Sequence, residues 1–295
     1  MKPIHLLMAL SVAMIFGLGF TFSKAALGEF PPIFLMALRF SLTALVLVWL
    51  FRPPVGFLLR ICAIAFISAT LQYSLTFTGL KDVYASTAIL IVQLEVPFAA
   101  LLAAIFLADP LGWRRAMGMA LAFVGIGLIV GEPRLQNAYV PVLLIIGGAF
   151  TWSVGQVMIK TLAGRVPAFL LVTWVAVFAG PQLFVVSFLF EEGQMAAALN
   201  AGWTSWATVL YLGLVMNALG YACWYHLLGL YPVNNVMPFM LVVPVTTVVG
   251  GVLILGEELS LHVIGGGPIV IFGVAIIVFR RPRQASLGPE APSRP

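Results

Sequence analysis

Charged residues are scarce in this 295-residue chain, which holds 15 Lys or Arg and 10 Asp or Glu residues, or 8% in all. Soluble domains carry about 25% charged residues. A chain that is 62% apolar, with a mean hydropathy of +1.11, has too few polar side chains to cover a surface that faces water. This composition excludes a soluble enzyme, a disordered chain and a collagen-like chain, and it predicts an all-α membrane protein.

Groups for metal or covalent chemistry are also few. Cys62 and Cys223 lie singly in apolar runs, and His5, His226 and His262 match no metal-ligand spacing. The sequence contains no Walker motif, no paired-carboxylate site and no Ser-His constellation. We therefore expect no metal, no cofactor and no enzyme activity. The basic residues are dispersed instead of forming a patch, so no nucleic-acid partner is expected.

Ten apolar runs bounded by charges, Pro or Gly are each long enough to cross a bilayer, which takes about 20 residues. They cover residues 4–23, 33–51, 58–80, 84–107, 112–131, 139–160, 168–190, 204–229, 233–256 and 261–279. The first run is expected to be retained as a span, because no convincing cleavage site follows it. Residues 282–295 are polar and rich in Pro and Ser, which predicts a disordered cytoplasmic tail.

The basic residues indicate an orientation. If the N-terminus is cytoplasmic, eleven Lys or Arg residues fall in segments on the cytoplasmic side, and three, Lys24, Lys81 and Arg134, fall on the other side. That second side collects acidic residues instead, among them Glu191 and Glu257. The positive-inside rule then predicts that both termini are cytoplasmic.

The chain resembles itself after a shift. A shift of 136 residues brings Gly19 and Lys24 onto Gly155 and Lys160. Further along, a shift of 147 to 148 superposes four more pairs: Tyr73 on Tyr221, Leu80 on Leu228, Pro97 on Pro244 and Gly118 on Gly265. We interpret this as a duplication with one five-helix repeat in residues 1–135 and another in 136–281.

Five spans per repeat is an odd number, so the second repeat is predicted to be inverted in the membrane. Inverted repeats are typical of secondary transporters, whose substrate lies near the midplane beside broken helices. The sequence thus predicts ten transmembrane helices as two inverted five-helix repeats around a central cavity. Pro97 and Pro244 are the expected kinks or hinges, although a simple packing kink explains either proline equally well.

The motifs of both halves resemble those of the EamA family in the drug/metabolite transporter superfamily. In the first half they are Phe16–Phe20, Lys24, Pro31–Pro32 and Arg39–Phe40. Phe16 and Gly19 stand where Trp and Asn are common in the family. In the second half they are Phe150–Gly155, Lys160, Gly220–Trp224, Leu241–Pro244, Leu255–Glu257 and Gly265.

The resemblance covers residues 4 to 280, and it implies a bacterial inner-membrane exporter of amino acids and related metabolites. Members of this superfamily also carry quaternary amines and nucleotide sugars, so other metabolite classes remain alternatives. From the residues alone, a membrane-embedded enzyme for a lipid or prenyl substrate and a channel or receptor-like sensor are further alternatives. The expected partners are a small-molecule substrate and the lipid bilayer.

Two charged side chains fall well inside spans, Arg39 and Glu95. A charge in hydrocarbon is costly, so each is a candidate functional residue. Glu95 shares a helix face with Tyr84 and is expected to contact a substrate amine or to exchange a proton. Burial in a neutral form, or pairing with Arg39, is an equally weighted alternative.

Polar and aromatic residues at helical spacing are expected to line the cavity beside Glu95. Bundle-interior hydrogen bonding is the alternative for each polar member. Besides Tyr84 and Glu95, the predicted lining consists of Phe20, Gln72, Tyr73, Thr76, Trp152, Gln156, Asn217, Tyr221 and Trp224.

Glycines mark faces for close helix packing in the fifth and tenth runs. Gly127 and Gly131 form a small-xxx-small pair, and Gly265–Gly267 is a run of three consecutive glycines. These faces suit a homodimer or packing within one chain equally well, so both a monomer and a homodimer are compatible with the sequence.

Overall fold

The computed structural model describes residues 1–106, 112–132, 135, 138–162, 164–231 and 233–279, and these residues form helices and turns without a strand. Ten helical segments are long and apolar enough to cross a membrane, which confirms the prediction of ten spans in a multi-pass membrane protein. We number them in chain order as spans 1 to 10: Pro3–Ala26, Pro32–Leu50, Val55–Lys81, Ala85–Phe106, Trp113–Val130, Tyr139–Lys160, Ala168–Phe190, Trp203–Leu230, Met237–Leu255 and Leu261–Val278. The predicted tail at 282–295 lies outside the described residues.

The outer surface of the bundle is apolar. Leu59 and Leu261 are 85% and 84% exposed, and Trp49 and Trp203 at span ends are similarly exposed. Such side chains on every side of a helical bundle suit contact with lipid rather than water, because hydrocarbon imposes no cost on apolar surface.

Two spans contain π-helical turns at places that correspond under the predicted repeat. They are Phe66–Leu71 in span 3 and Tyr211–Gly220 in span 8. Each wider turn shifts the helix face of the residues that follow it, and π-helical turns are frequent at functional sites. In span 3 the shift precedes Gln72, and in span 8 it includes Asn217.

Spans 4 and 9 are each interrupted just before a proline. Span 4 ends its first helix at Val92 and resumes as Glu95–Phe106, while in span 9 a 3-10 turn, Met237–Leu241, precedes the helix Val242–Leu255. Pro97 and Pro244 are the third residues of the resumed helices. A proline there costs little, because the first four N–H groups of a helix have no partner within it.

The packing between spans is unchanged when the two halves are exchanged. Span 3 packs on span 6 as span 8 packs on span 1, and span 4 packs on span 6 as span 9 packs on span 1. Spans 2 and 7 pack together, as do spans 5 and 10, and each of these pairs maps onto itself. The two halves are thus related by a pseudo-two-fold axis, and five spans per half make the second half inverted relative to the first.

Close helix contacts show the same symmetry at individual residues. Gly155 of span 6 lies directly against Ser68 of span 3, and Gly19 of span 1 lies against Met216 of span 8. Gly155 and Gly19 are 136 residues apart, and Met216 and Ser68 are 148 apart, which are the two shifts found in the sequence. One contact is therefore the repeat image of the other.

Spans 5 and 10 cross at two glycine pairs. A Cβ added at Gly118 would lie 2.7 Å from the carbonyl oxygen of Gly273, and one added at Gly266 would lie 2.7 Å from that of Gly125. These pairs exchange under a shift of 148. The sequence alignment of Gly118 with Gly265 is therefore wrong by one residue, because Gly265 faces open space and Gly266 makes the close approach.

Candidate functional site

A cavity of about 110 Å³ lies between the two halves. This volume is below the range of about 300–1,000 Å³ found for sites that hold drug-sized ligands. Spans 1 to 4 of the first half and spans 6 and 8 of the second contribute side chains. The lining residues are Gly19, Phe20, Ser23, Arg39, Gln72, Tyr73, Thr76, Phe77, Ile89, Val92, Glu95, Trp152 and Met216.

Span 3 gives the cavity a polar face directly after its π-helical turn. Gln72 and Thr76 lie one turn apart, and Nε2 of Gln72 donates a hydrogen bond to Oγ1 of Thr76 over 3.1 Å. The other amide atom of Gln72, the buried Oε1, has no hydrogen-bond partner within the described chain. An acceptor is thus left available in the cavity wall.

The Arg39 side chain of span 2 is 2% exposed and reaches the cavity from one side. Its Nη2 donates to Oδ1 of Asn217 over 2.7 Å, and its guanidinium carbon lies 5.0 Å from the ring centroid of Tyr73. The buried Nε has no partner among the described residues. The amide and the aromatic ring therefore orient the guanidinium while leaving it donors to spare.

Asn217 is itself held by span 2. Its Nδ2 donates to Oγ1 of Thr43 over 3.1 Å, and the Thr43 hydroxyl donates to the carbonyl oxygens of Arg39 and Gly213, at 2.9 and 3.1 Å. The π-helical turn of span 8 supplies both Asn217 and Gly213. This closed network fixes the position of Arg39 relative to the second half.

Glu95 enters the cavity from span 4, as the first residue after the interruption of that span. Its backbone oxygen accepts a hydrogen bond from Oγ of Ser153 in span 6 over 2.8 Å, which anchors the broken helix to the second half. Within the described residues, no hydrogen bond or ion pair joins the Glu95 carboxylate to Arg39. The acidic and the basic side chain line one cavity separately.

The structure brings six of the eleven sequence-predicted lining residues together around the cavity. They are Phe20, Gln72, Tyr73, Thr76, Glu95 and Trp152. All but Trp152 belong to the first half, which reflects the strong helical spacing of polar residues in spans 3 and 4.

Three predicted residues of span 8 are not among the lining residues. Asn217 is bonded to Arg39 and Thr43, as described above. Tyr221 stacks with Tyr225 at 6.0 Å between ring centroids and contacts Phe16 at 5.3 Å. It also lies close enough to Tyr73, Arg39 and Glu95 to interact with them electrostatically, so it borders the cavity. Trp224 lies in an apolar cluster with Ala9, Val12, Leu227 and Val236, so packing accounts for its burial.

The last two predicted residues, Tyr84 and Gln156, are also not among the lining residues. Tyr84 precedes the first residue of span 4 and is 45% exposed, so it lies at the end of the bundle. Gln156 lies one helical turn beyond Trp152 in span 6 and is partly buried. Spacing along one helix predicts a shared face but not how deep the cavity extends along it.

Several lining residues are absent from the sequence-predicted set. Arg39 is recognisable as an intramembrane charge, and Phe77 follows Tyr73 by one helical turn. Met216 is the repeat counterpart of Ser68, so the shift of 148 is the signal that could have found it. Ile89 and Val92 carry no such signal, because apolar residues also line lipid and core.

At one end of the bundle, carboxylates cap helices of the opposite half. Oε1 and Oε2 of Glu257, after span 9, accept from the backbone N–H groups of Ala85 and Ser86, the first residues of span 4. A carboxylate at a helix N-terminus satisfies unpaired N–H groups and complements the helix dipole. We call this end of the bundle the carboxylate end.

Two more carboxylates make the same kind of contact at the carboxylate end. Glu191, after span 7, accepts from the N–H groups of Ile33 and Phe34 over 2.8 and 3.0 Å. Glu29 accepts from the N–H of Gly202, ahead of span 8, over 2.6 Å. Each of these bonds joins one half to the other, so together they tie the two halves at this end.

These features define the class of the protein. Two inverted five-span halves around a polar cavity, tied together at one end, form the architecture of a secondary transporter. The chain belongs to the EamA-like transporter family, whose family model matches residues 3–131 and again residues 140–279.

Relatives of known name cover nearly the whole chain. The chain is 29% identical to a "Probable amino-acid metabolite efflux pump" of Salmonella typhimurium and 28% identical to one of Escherichia coli, in each case over 92% of this chain and 94% of the relative. A "Probable terminal-alkyne amino-acid exporter" of Streptantibioticus cattleyicolor is 29% identical over 70% of each chain. A solved crystal structure matches with a TM-score of 0.64 at 17% identity, over 98% of this chain and 100% of the other, which supports the fold.

Proposed function

We propose that this protein is a secondary transporter that exports amino acids and related metabolites from the cytoplasm across the bacterial inner membrane. The names of the relatives support an exporter of amino-acid metabolites. Membership of a transporter family argues against an enzyme for lipid or prenyl substrates.

The observation that carries the proposal is a polar cavity between two pseudo-symmetric halves, with cross-half bonds at one end. An inverted repeat permits alternating access, because the two halves can exchange conformations and so open the cavity to the opposite side. In this state Glu29, Glu191 and Glu257 tie the halves together at the carboxylate end. Export requires a second state in which these bonds are broken.

The charge distribution supports an orientation for this cycle. We propose that the carboxylate end faces the periplasm and that both termini are cytoplasmic, since eleven basic residues lie in the segments on the terminal side. In this proposal, the state with these cross-half bonds is the one closed to the outside. Residues 1–135 and 136–281 are the two units that move against each other.

The test is counterflow in liposomes that contain the purified protein. Vesicles loaded with one unlabelled amino acid should accumulate the same labelled amino acid from outside, with saturation, while protein-free vesicles should not. A carrier produces this exchange because a substrate-loaded cavity changes sides quickly, while the amino acid itself crosses the bilayer only slowly. Linear, unsaturable flux would indicate a channel instead, and turnover of added lipid without any amino-acid exchange would indicate an enzyme.

A further inference from the structure

The cavity is lined by one basic and one acidic side chain. Arg39 of span 2 and Glu95 of span 4 both line it, at depths where an uncompensated charge is unfavourable. Two such groups in one bundle normally pair, since pairing offsets the loss of hydration. Here they do not pair, and each remains available to a ligand.

Arg39 is prepared for an anionic group. A guanidinium offers five N–H donors in a planar fork that fits a carboxylate. Asn217 occupies one of these donors, Tyr73 supports one face, and the buried Nε lacks a partner within the described residues. This arrangement positions Arg39 without neutralising it.

Glu95 is the complementary group for a cation. Its backbone is fixed by Ser153, while its side chain lines the cavity without a hydrogen-bonding partner among the described residues. An ammonium group beside it would offset the cost of an ionised carboxylate in this environment.

The remainder of the wall is largely apolar and aromatic. Phe20 and Phe77 lie 5.8 Å apart between ring centroids, and Phe77 stacks with Tyr73 at 5.6 Å. Ile89 and Met216 complete this surface. Such a wall suits an apolar or aromatic side chain and offers little to a sugar or a polyphosphate.

We propose that the cavity recognises α-amino acids as zwitterions, with the α-carboxylate at Arg39, the α-ammonium at Glu95 and an apolar side chain against Phe20 and Phe77. This inference rests on the export function proposed above and specifies its substrate class. The zwitterion supplies Arg39 with an anionic partner and Glu95 with a cationic one, so a molecule that lacks either group loses one of these two contacts. The site therefore discriminates against amines without a carboxylate and against acids without an ammonium.

The first test uses the unmodified protein. Counterflow of labelled L-phenylalanine in liposomes at pH 6 is measured against two competitors, L-phenylalaninamide, which lacks the carboxylate, and 3-phenylpropionate, which lacks the ammonium. We expect each to compete about tenfold or more weakly than unlabelled L-phenylalanine, because each analogue lacks one of the two polar contacts that the site offers. If either analogue competes as well as phenylalanine while counterflow persists, the inference is overturned and the export function stands.

The second test assigns each charge to its residue. Arg39→Gln should weaken competition by L-phenylalanine about tenfold. In this variant L-phenylalaninamide should compete as well as L-phenylalanine, while 3-phenylpropionate should remain the weaker competitor. In Glu95→Gln, 3-phenylpropionate should compete as well as L-phenylalanine, while L-phenylalaninamide should remain the weaker competitor. The control variants Arg60→Gln and Glu192→Gln replace the same residue types at exposed positions outside the cavity. They should leave the competition of both analogues, relative to L-phenylalanine, unchanged.

These outcomes separate the inference from the proposed function. Variants that are folded by size-exclusion elution but keep both discrimination ratios would overturn the assignment of the charges. If Arg39→Gln does not fold, the analogue competition on the unmodified protein still decides the question. Absence of saturable exchange for every amino acid in a broad panel would overturn the export function and this inference together.

Discussion

Nη2 of Arg39 donates a 2.7 Å hydrogen bond to Oδ1 of Asn217, which joins span 2 of the first half to span 8 of the second. Both side chains are buried, and they are 178 positions apart in the chain. The bond therefore serves two purposes: it satisfies part of a buried guanidinium, and it fixes that guanidinium at the cavity wall. Stability and substrate recognition are linked through this one contact.

Substitutions of Asn217 should separate the two roles. Asn217→Ala leaves Nη2 of Arg39 without its acceptor, so we expect a loss of about 1.5–3 kcal/mol in the free energy of unfolding, the usual value for a hydrogen bond to a charged group. Asn217→Asp keeps an acceptor and should retain stability. It should nevertheless abolish counterflow of amino acids, because the new carboxylate neutralises Arg39 inside the cavity.

The readouts are the midpoint of thermal unfolding in detergent and counterflow in liposomes. Asn200→Ala, at an exposed position at the end of the short helix Gln194–Asn200, is the matched control and should change neither. Normal exchange by Asn217→Asp would contradict a role for the free charge of Arg39.

Glu257 should control access to the cavity from the carboxylate end. Glu257→Gln replaces a carboxylate that accepts from both Ala85 and Ser86 by an amide with a single acceptor oxygen. If the closed state is destabilised by about 1.4 kcal/mol relative to the open state, the fraction of open molecules rises about tenfold, because about 1.4 kcal/mol corresponds to a factor of ten in an equilibrium constant.

The open fraction can be read from a thiol in the cavity. Ser23→Cys, introduced after Cys62 and Cys223 are replaced by Ala, places a thiol at a lining position one turn before the end of span 1. Its reaction with a membrane-impermeant reagent added outside should accelerate about tenfold in the Glu257→Gln background. The control is Glu192→Gln, which removes an exposed carboxylate and should leave the rate unchanged. Equal reaction rates in the Glu257→Gln and Glu192→Gln backgrounds would contradict closure by Glu257.

The crossing of spans 5 and 10 should tolerate no side chain at Gly118 or Gly266. Each faces backbone of the other span, which cannot move aside, so Gly118→Leu or Gly266→Leu should cost about 1–3 kcal/mol by overpacking. Gly127 and Gly265 lie in the same two spans but face open space. Leu at either position should be neutral or slightly stabilising, because Gly is a poor helix former.

The same variants address the oligomeric state. The small-residue pair at Gly127 and Gly131 is predicted to be a packing face, and within the described chain nothing packs on Gly127. If a homodimer forms through this face, Gly127→Leu should convert it to a monomer in size-exclusion chromatography with light scattering, without loss of thermal stability. Equal effects of Gly127→Leu and Gly118→Leu on stability would contradict the intramolecular crossing.

Lys24 should stabilise the end of span 3. Its Nζ donates to the carbonyl oxygens of Leu80 and Lys81 at 2.9 and 2.8 Å, where the last carbonyls of a helix lack partners. Lys24→Met should lower the free energy of unfolding by about 1.5–3 kcal/mol. The control is Lys81→Met, which removes an exposed lysine at the same end of the bundle, and a similar loss in both variants would contradict the capping role.

The fold could be predicted largely from local patterns. Ten apolar runs are visible without any knowledge of contacts, and their observed bounds differ by only a few residues from the prediction, the largest difference being the start of span 9 at Met237. The repeat is visible because matched Gly, Pro and Tyr positions persist after duplication. The π-helical turns are not predictable in this way, since they depend on how spans 3 and 8 pack against their neighbours.

The cavity was less predictable than the fold. Helical spacing identifies Gln72, Thr76 and Glu95 as sharing polar faces, and the structure places all three in the lining. The same reasoning selects Trp224, which instead packs in an apolar cluster. A face that points to the bundle interior meets either open space or a neighbouring helix, and sequence spacing is identical in the two cases.

The sequence by itself determined the membrane class, the number of spans, the two repeats and the presence of two charges in apolar surroundings, because composition and periodicity are properties of short segments. Only the tertiary structure decided that Arg39 bonds to Asn217, that Glu95 faces the same cavity without pairing with Arg39, and that Glu257 caps span 4 of the other half. The physical reason is that each of these relationships joins residues more than fifty positions apart, and the packing of whole helices sets which side chains meet.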